Sequence, residues 1–182
     1  IFDPEKVLEF LKARAGKLDA VVITGGEPLI YYEDLKNFIS DIKSLGYLVK
    51  LDTNGLLPQK LELLIEAGLV DYISMDIKYP EGDYLTYTGE NALKNVKKSI
   101  KIIMASGLDY EFRTTYVKGI HTTESSKAIG ILIKDAKQYY VQNFRAGKTI
   151  NPTLSSQNSF TESELEILAR NIKPYVVNVE IR

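Results

Sequence analysis

The stretch Val21-Val-Ile-Thr-Gly-Gly-Glu-Pro28 decides how the rest of the chain is read. Val21 to Thr24 are all apolar or β-branched, the pattern of a buried strand. Gly25 and Gly26 let the backbone turn sharply and let a ligand approach with no Cβ in the way. Glu27 then points a charge into the space beyond the strand end. Pro28 fixes the exit direction and removes one amide donor. In an α/β sheet, open or closed, ligands sit in that space beyond the carboxyl ends of the strands. Taken alone, the stretch also fits a tight turn with a solvated Glu27.

Working outward, strands and helices alternate. Asp3 before Pro4 reads as a helix cap, and residues 4–16 carry Val7, Leu8, Phe10 and Leu11 at helical spacing. Strands are expected over 19–24, 47–52, 70–77, 109–117, 138–144 and 175–181. Helices are expected over 33–45, 58–67, 91–105, 123–134 and 163–172, several stopped by glycines such as Gly46, Gly68 and Gly107. Thr53-Asn54-Gly55 reads as a turn, Tyr79 to Gly89 as a tyrosine-rich loop, and Gly147 to Ser159 as a polar loop. Strand–helix repetition of this kind argues for parallel strands joined by right-handed crossovers, and no linker divides residues 1–182 into more than one domain. Periodicity alone leaves an open doubly wound sheet and a curved partial barrel both standing.

The composition narrows the function. The chain has 182 residues, 45% of them hydrophobic and 26% charged, with a net charge of −1. That balance gives no basic field for nucleic acid or a membrane surface. No apolar run in these residues is long enough to span a bilayer, and no signal peptide is expected from their opening. There is no cysteine and only one histidine, His121, so neither a thiolate site nor a multi-histidine site can come from these residues. The first residue is Ile1 rather than Met, which leads us to expect sequence upstream of a leading helix.

Polar residues collect at the expected strand ends. Gly25, Gly26 and Glu27 follow the first strand, and Asp52, Thr53 and Asn54 the second. Asp76 and Lys78 follow the third, and Arg113 and Thr115 lie on the fourth. Residues two apart on a strand face the same side, so Asp76 goes with Lys78 and Arg113 with Thr115. Charges at the ends of apolar strands are costly unless paired. A mutual network of Asp52 or Asp76 with Lys78 or Arg113 is the structural reading. A shared polar-ligand site is the functional one, and four ends carrying such groups favour it. Carboxylates suit an amine or ribose hydroxyls, and Lys78 and Arg113 suit a carboxylate. The phosphate loops of dinucleotide or triphosphate sites are absent.

These residues carry a resemblance. Gly25-Gly26-Glu27-Pro28, Asp52-Thr53-Asn54-Gly55 and Met75-Asp76-Ile77-Lys78, each after a strand and in that order, resemble the radical S-adenosylmethionine superfamily, and most of all its glycyl-radical-enzyme activases. Val49 to Gly55, Asp71 to Lys78, Tyr110 to Thr115 and Gln142-Asn-Phe-Arg-Ala-Gly147 resemble anaerobic ribonucleoside-triphosphate reductase activating proteins. The likeness spans residues 5–182. It implies a partial (β/α)6 TIM-like barrel whose first strand and cluster loop would precede Ile1. It implies that Gly25, Gly26 and Glu27 hold the methionyl amino group, and that Asp76 and Lys78 contact the methionyl end. Asp52 and Thr53 would help bind the cofactor, in some activases with a monovalent cation. Arg113 and Thr115 would line the adenosine side. Arg145 falls near where an activase histidine approaches the ribose.

The resemblance further implies S-adenosylmethionine and a [4Fe–4S] cluster as cofactors. The three cysteine ligands of that cluster would lie upstream, so residues 1–182 alone are expected to be inactive. The implied reaction is reductive cleavage to a 5′-deoxyadenosyl radical, which takes a hydrogen from a glycine of a partner enzyme, anaerobic ribonucleotide reductase. The electron would come from a donor such as flavodoxin or ferredoxin, in the cytoplasm. Two alternatives stand beside it. One is a superfamily enzyme acting on a small molecule, such as a 7-carboxy-7-deazaguanine synthase. The other is a non-catalytic barrel that binds a nucleoside or a protein. His121 is expected in a surface loop, Tyr79, Tyr84 and Tyr87 as rim packing or a partner surface, and Lys94, Lys97, Lys98 and Lys101 as the wet face of a helix.

Overall fold

The structure is a computed structural model that describes residues 3–147 and 153–182, apart from the side chain of Tyr87. Helix α1 (Pro4–Lys12) comes first, capped by the Asp3 side chain accepting from the Lys6 amide at 3.4 Å. Then follow β1 (Ala20–Ile23), α2 (Tyr32–Ser44), β2 (Leu48–Thr53), α3 (Pro58–Glu66), β3 (Tyr72–Asp76), α4 (Glu81–Thr88) and α5 (Glu90–Ala105). The chain continues with β4 (Asp109–Tyr116), α6 (Thr123–Leu132), β5 (Gln138–Asn143), α7 (Glu162–Ile172) and β6 (Asn178–Ile181). Short 3-10 turns at Pro28–Tyr31 and Ser156–Asn158 lead into α2 and towards α7.

Among the described residues the six strands are all parallel, and their order in the sheet is their order in the chain. Crossovers of one hand between sequential neighbours put every connecting helix on the same side. The strands show which side that is. Val49 and Leu51 of β2, Ile73 and Met75 of β3, Phe112 of β4 and Val141 of β5 are fully buried against helix residues such as Ile39, Leu61, Val96 and Ile129. Each such side chain contributes about 1.5–3 kcal/mol relative to exposure. The alternate positions, Lys50 and Asp52, Ser74 and Asp76, Glu111 and Arg113, line the other, inner face. β1 and β6 do not pair, so the sheet is an open partial TIM-like barrel with a polar concave face.

Several expectations need correction. The first strand is an edge strand, not a buried one: Val22 is 53% exposed and only Ile23 is buried. The expected loop at Tyr79 to Gly89 contains α4. Its start is set by Pro80 in extended conformation, with Glu81 and Asp83 placed favourably at the positive end of the helix. Tyr84 of α4 is buried at 3% exposure, so its packing holds as helix a segment expected to be a tyrosine-rich loop. The first helix stops at Lys12 in a run of turns, and the last strand begins at Asn178 rather than Tyr175. Within the expected loop at Gly147 to Ser159, residues 148–152 lie outside the described residues, as does the side chain of Tyr87.

Candidate functional site

The polar residues meet at the carboxyl ends of β1 to β4. Gly25 has φ +144°, a conformation that L side chains rarely adopt, and added Cβ atoms at Gly25 and Gly26 would meet nothing within 4 Å. The backbone here is therefore open on its outer side. Glu27 behaves differently from expectation. Its carboxylate is turned back rather than outward: it accepts from the Leu29 amide at 3.2 Å, the Thr53 hydroxyl at 3.0 Å and the Asn54 amide at 2.7 Å. It is 8% exposed and locks the exit of β1 to the exit of β2. Any outward contact at this motif falls to the glycine backbone.

Next to that lock, four charges from three strands form one group. Arg113 donates from Nε to Asp76 at 2.7 Å and from a terminal nitrogen to Asp52 at 3.2 Å. Lys78 donates to the other Asp76 oxygen at 3.1 Å. Burial acts against the Arg113 cation, yet Asp76 and then Asp52 hold it more firmly protonated than usual. The structural network anticipated for these residues is thus present. Its saturation is incomplete: Asp52 Oδ1 is buried and has no hydrogen-bond partner, with Lys50 at 3.8 Å. Lys78 keeps 54% of its side chain exposed and so can turn to a ligand. Thr115 lies at the rim, 3.5 Å from Gln142. Arg145 is exposed beyond β5 and is not tied to this group.

One layer deeper, Glu111 is 1% exposed and ties four strands. It accepts from Ser74 at 2.9 Å, Tyr72 at 3.1 Å, Lys50 at 3.3 Å and the C-terminal Arg182 at 3.2 Å. Burial raises its pKa, but the Ser74 bond and the Lys50 and Arg182 cations outweigh it, and the net position is below the usual range. Reading the sequence missed Glu111. Its signal was there, two residues before Arg113 and so on the same face.

His121 is also misplaced by the sequence reading. It is buried, not a surface side chain, with Nδ1 3.0 Å from the Val117 amide and Nε2 2.9 Å from the Lys78 carbonyl. Burial lowers its pKa. A cleft between the exits of β3 and β4 is lined by Asp76, Lys78, Arg113, Thr115, Ile120 and His121.

An open parallel barrel with a charged carboxyl-end rim and an exposed glycine turn defines a class of small-molecule or cofactor-binding α/β proteins. The chain belongs to one family within that class: residues 2–129 match the model of the Radical SAM superfamily. A protein of Methanocaldococcus jannaschii, provisionally named a glycyl-radical enzyme activating enzyme, is 31% identical over 169 residues, 90% of this chain and 70% of that protein. The 7-carboxy-7-deazaguanine synthase of Methanopyrus kandleri is 30% identical over 128 residues, 65% of this chain. The chain spans about half the length of that synthase. In structure, a domain of the pyruvate-formate lyase-activating enzyme from Bacteroides vulgatus matches with a TM-score of 0.69 at 15% identity, over 91% of this chain and 99% of that domain. At that identity the likeness shows the fold.

Membership implies S-adenosylmethionine and an iron–sulfur cluster, and the residues treat the two differently. An orphaned buried carboxylate oxygen, a half-exposed ammonium and open glycine backbone fit the amino acid end of S-adenosylmethionine. A cluster finds no fit: the chain has no cysteine, and no group of three or more His, Asp or Glu suits a metal among the described residues. No helix among the described residues is long and apolar enough to cross a membrane.

Proposed function

We propose that this chain carries the S-adenosylmethionine site of a glycyl-radical enzyme activating enzyme. The observation that carries the ligand assignment is the meeting of Asp52, Asp76, Lys78 and Arg113 on one rim beside Gly25 and Gly26. In this reading Gly25 and Gly26 offer backbone to the methionyl end, with Glu27 fixing their geometry from behind. Asp52 and Asp76 face the amino group, Lys78 the carboxylate, and Arg113 and Thr115 the nucleoside side. Thr53 supports through its bond to Glu27, and Arg145 stands outside the pocket as a rim cation. S-adenosylmethionine, reductively cleaved, supplies a 5′-deoxyadenosyl radical able to take a glycine hydrogen. The chain's own residues bind it, orient it and limit water at the rim.

The activase branch rests on the relative matched over 90% of the chain. The partner we assign is anaerobic ribonucleotide reductase, with a flavodoxin or ferredoxin as electron donor, in the cytoplasm. Cluster ligands have to come from outside residues 1–182, and these residues by themselves are expected to be inactive. One observation favours a second reading, turnover of a small molecule: several curated relatives are 7-carboxy-7-deazaguanine synthases.

The test is anaerobic reconstitution of the full-length protein with iron and sulfide, a strong reductant and S-adenosylmethionine. Release of 5′-deoxyadenosine supports the enzyme reading. A glycyl-radical signal on added reductase, with no 7-carboxy-7-deazaguanine formed, supports the activase. Absence of 5′-deoxyadenosine sinks both.

A further inference from the structure

The proposed function leaves His121 without a role. It is the only histidine in the chain and is 6% exposed. Its ring stacks on Tyr79 at 6.2 Å and 16°, and meets Tyr116 edge-on at 5.1 Å and 62°. Both nitrogens are committed. Nδ1 is 3.0 Å from the Val117 amide, a donor, so Nδ1 accepts and carries no proton. Nε2 is 2.9 Å from the Lys78 carbonyl, which only accepts, so Nε2 carries the proton. The two bonds together assign one neutral tautomer. A ring used at both nitrogens has no lone pair left for a metal or a substrate proton. It is a strut between the segments leaving β3 and β4.

What the strut holds is the Lys78 peptide. The Lys78 amide donates to the Tyr84 hydroxyl at 2.9 Å, and the Lys78 carbonyl accepts from His121. The preceding residue is bound to β4, through the Ile77 amide to the Arg113 carbonyl at 2.8 Å and the Thr114 hydroxyl to the Ile77 carbonyl. Loss of the His121 bond frees the carbonyl end of Lys78 while its amide end stays fixed. The direction in which the side chain leaves is then no longer set. That side chain carries the ammonium that reaches Asp76, which in turn holds Arg113.

We propose that His121, as the neutral Nε2–H tautomer, is a positioning residue that sets where the Lys78 ammonium stands at the rim, and that protonation of the ring releases it. A protonated ring turns Nδ1–H towards the Val117 N–H, so two donors face each other and the strut fails. The ionisable groups on the elements packed around the ring are Asp76, Lys78 and Tyr79 at the exit of β3, and Asp83 and Tyr84 on α4. Tyr116 ends β4, Lys118 follows it, and Glu124 is on α6. Burial acts against the charged ring and lowers its pKa below the ordinary 6.5; Asp83 and the Lys78 carbonyl favour the charged ring but are outweighed, and the Val117 N–H offers Nδ1 only a donor.

Two measurements on the full chain test this, and only the second rests on the proposed cofactor. First, a single histidine gives a single set of ring NMR signals. The expected result is the Nε2–H pattern at pH 8, a midpoint below 6.5, and Lys78 and Val117 amide signals that move with that midpoint. A Nδ1–H tautomer, or a Lys78 amide indifferent to the titration, overturns the proposal. Second, S-adenosylmethionine binding is followed by calorimetry against pH. His121→Ala is expected to weaken binding about tenfold, the scale of one buried hydrogen bond. His121→Gln, whose amide can donate to the Lys78 carbonyl, is expected to recover most of the affinity. It should also lack the acid loss of affinity expected of the unaltered chain. Unchanged binding in His121→Ala overturns the proposal, as does an acid loss that persists in His121→Gln. No binding by the unaltered chain removes the cofactor reading, and the NMR measurement then decides the strut on its own.

Discussion

Arg113 holds one carboxylate on each of two other strands, and its guanidinium shape allows this. Nε and a terminal nitrogen point in different directions at fixed angles, reaching Asp76 and Asp52 at 2.7 and 3.2 Å. Arg113→Ala leaves two part-buried carboxylates near each other with only Lys50 and Lys78 to offset them. We expect a loss of about 3 kcal/mol in urea unfolding. Arg113→Lys should recover less than half of it, because one ammonium cannot serve both sites. Equal stability of the Lys variant and the unaltered chain would refute that geometry. Gly55 gives a second expectation. It sits at φ +76°, and a Cβ there would lie 2.0 Å from Met75 Cε. Gly55→Ala combines strain with a clash against a fully buried side chain, so about 2–3 kcal/mol should be lost. Gly25→Ala meets open space, so any loss there comes from the backbone strain of φ +144° with no clash added. At this scale the sequence reading succeeded where a rule of spacing existed. Arg113 and Thr115, or Asp76 and Lys78, share a face by their separation of two. His121 has no such neighbour, and a lone residue in a turn carries no periodic trace of the two backbone groups it will bridge.

Strands and helices were legible because burial on one side leaves a period in the sequence. The helix-facing residues of β2 and β4 alternate with polar ones, and α2 carries its apolar stripe. α4 was not legible, since among the described side chains of Glu81 to Thr88 only Tyr84 is a deeply buried anchor. Burial pushes that tyrosine up to about 12, so it stays a hydroxyl and keeps its bond from the Lys78 amide. The pattern of Val21 to Thr24 reads the same whether or not a neighbour covers it, so an uncovered edge at β1 followed from the family resemblance and not from these residues. Between elements, Glu111 gives a pH expectation. Its folded pKa lies below the ordinary value of 4.5 although burial opposes this, because Ser74, Lys50 and Arg182 stabilise the carboxylate. A depressed folded pKa means the unfolded chain takes up the proton first. The contribution of Glu111 is therefore full above about pH 4.5 and is lost as pH falls through the folded value. Urea midpoints at pH 7, 5, 4 and 3 should be level down to about 5 and then drop. Glu111→Gln should start lower and show a shallower drop over the same interval. A drop of unchanged size in the variant would assign the acid sensitivity elsewhere.

For the whole molecule, the order of the strands decides between architectures that periodicity left open. Sequential order β1 to β6, all parallel, sends the helices to one side and leaves a concave polar face on the other. A doubly wound sheet would have reversed its order and buried both faces. The inner face here is polar: the Glu111 layer and the rim group above it link β2, β3, β4 and β6 through charge-assisted bonds rather than apolar packing. Cohesion should therefore be graded across the sheet. β3 and β4 are bonded on both sides and backed by Ile73, Met75 and Phe112, all fully buried, whereas β1 pairs on one side only and leaves Val22 half exposed. An amide that opens only with the whole fold exchanges at a rate set by global stability, and one on an unpaired edge exchanges by local fluctuation. In native-state hydrogen exchange on this chain, the amides of Ile73 and Phe112 should be among the slowest. Those of β1 directed away from β2 should exchange orders of magnitude faster. Protection of the β1 edge equal to that of β3 would mean that another strand, from elsewhere in the polypeptide or from a second copy, lies against it.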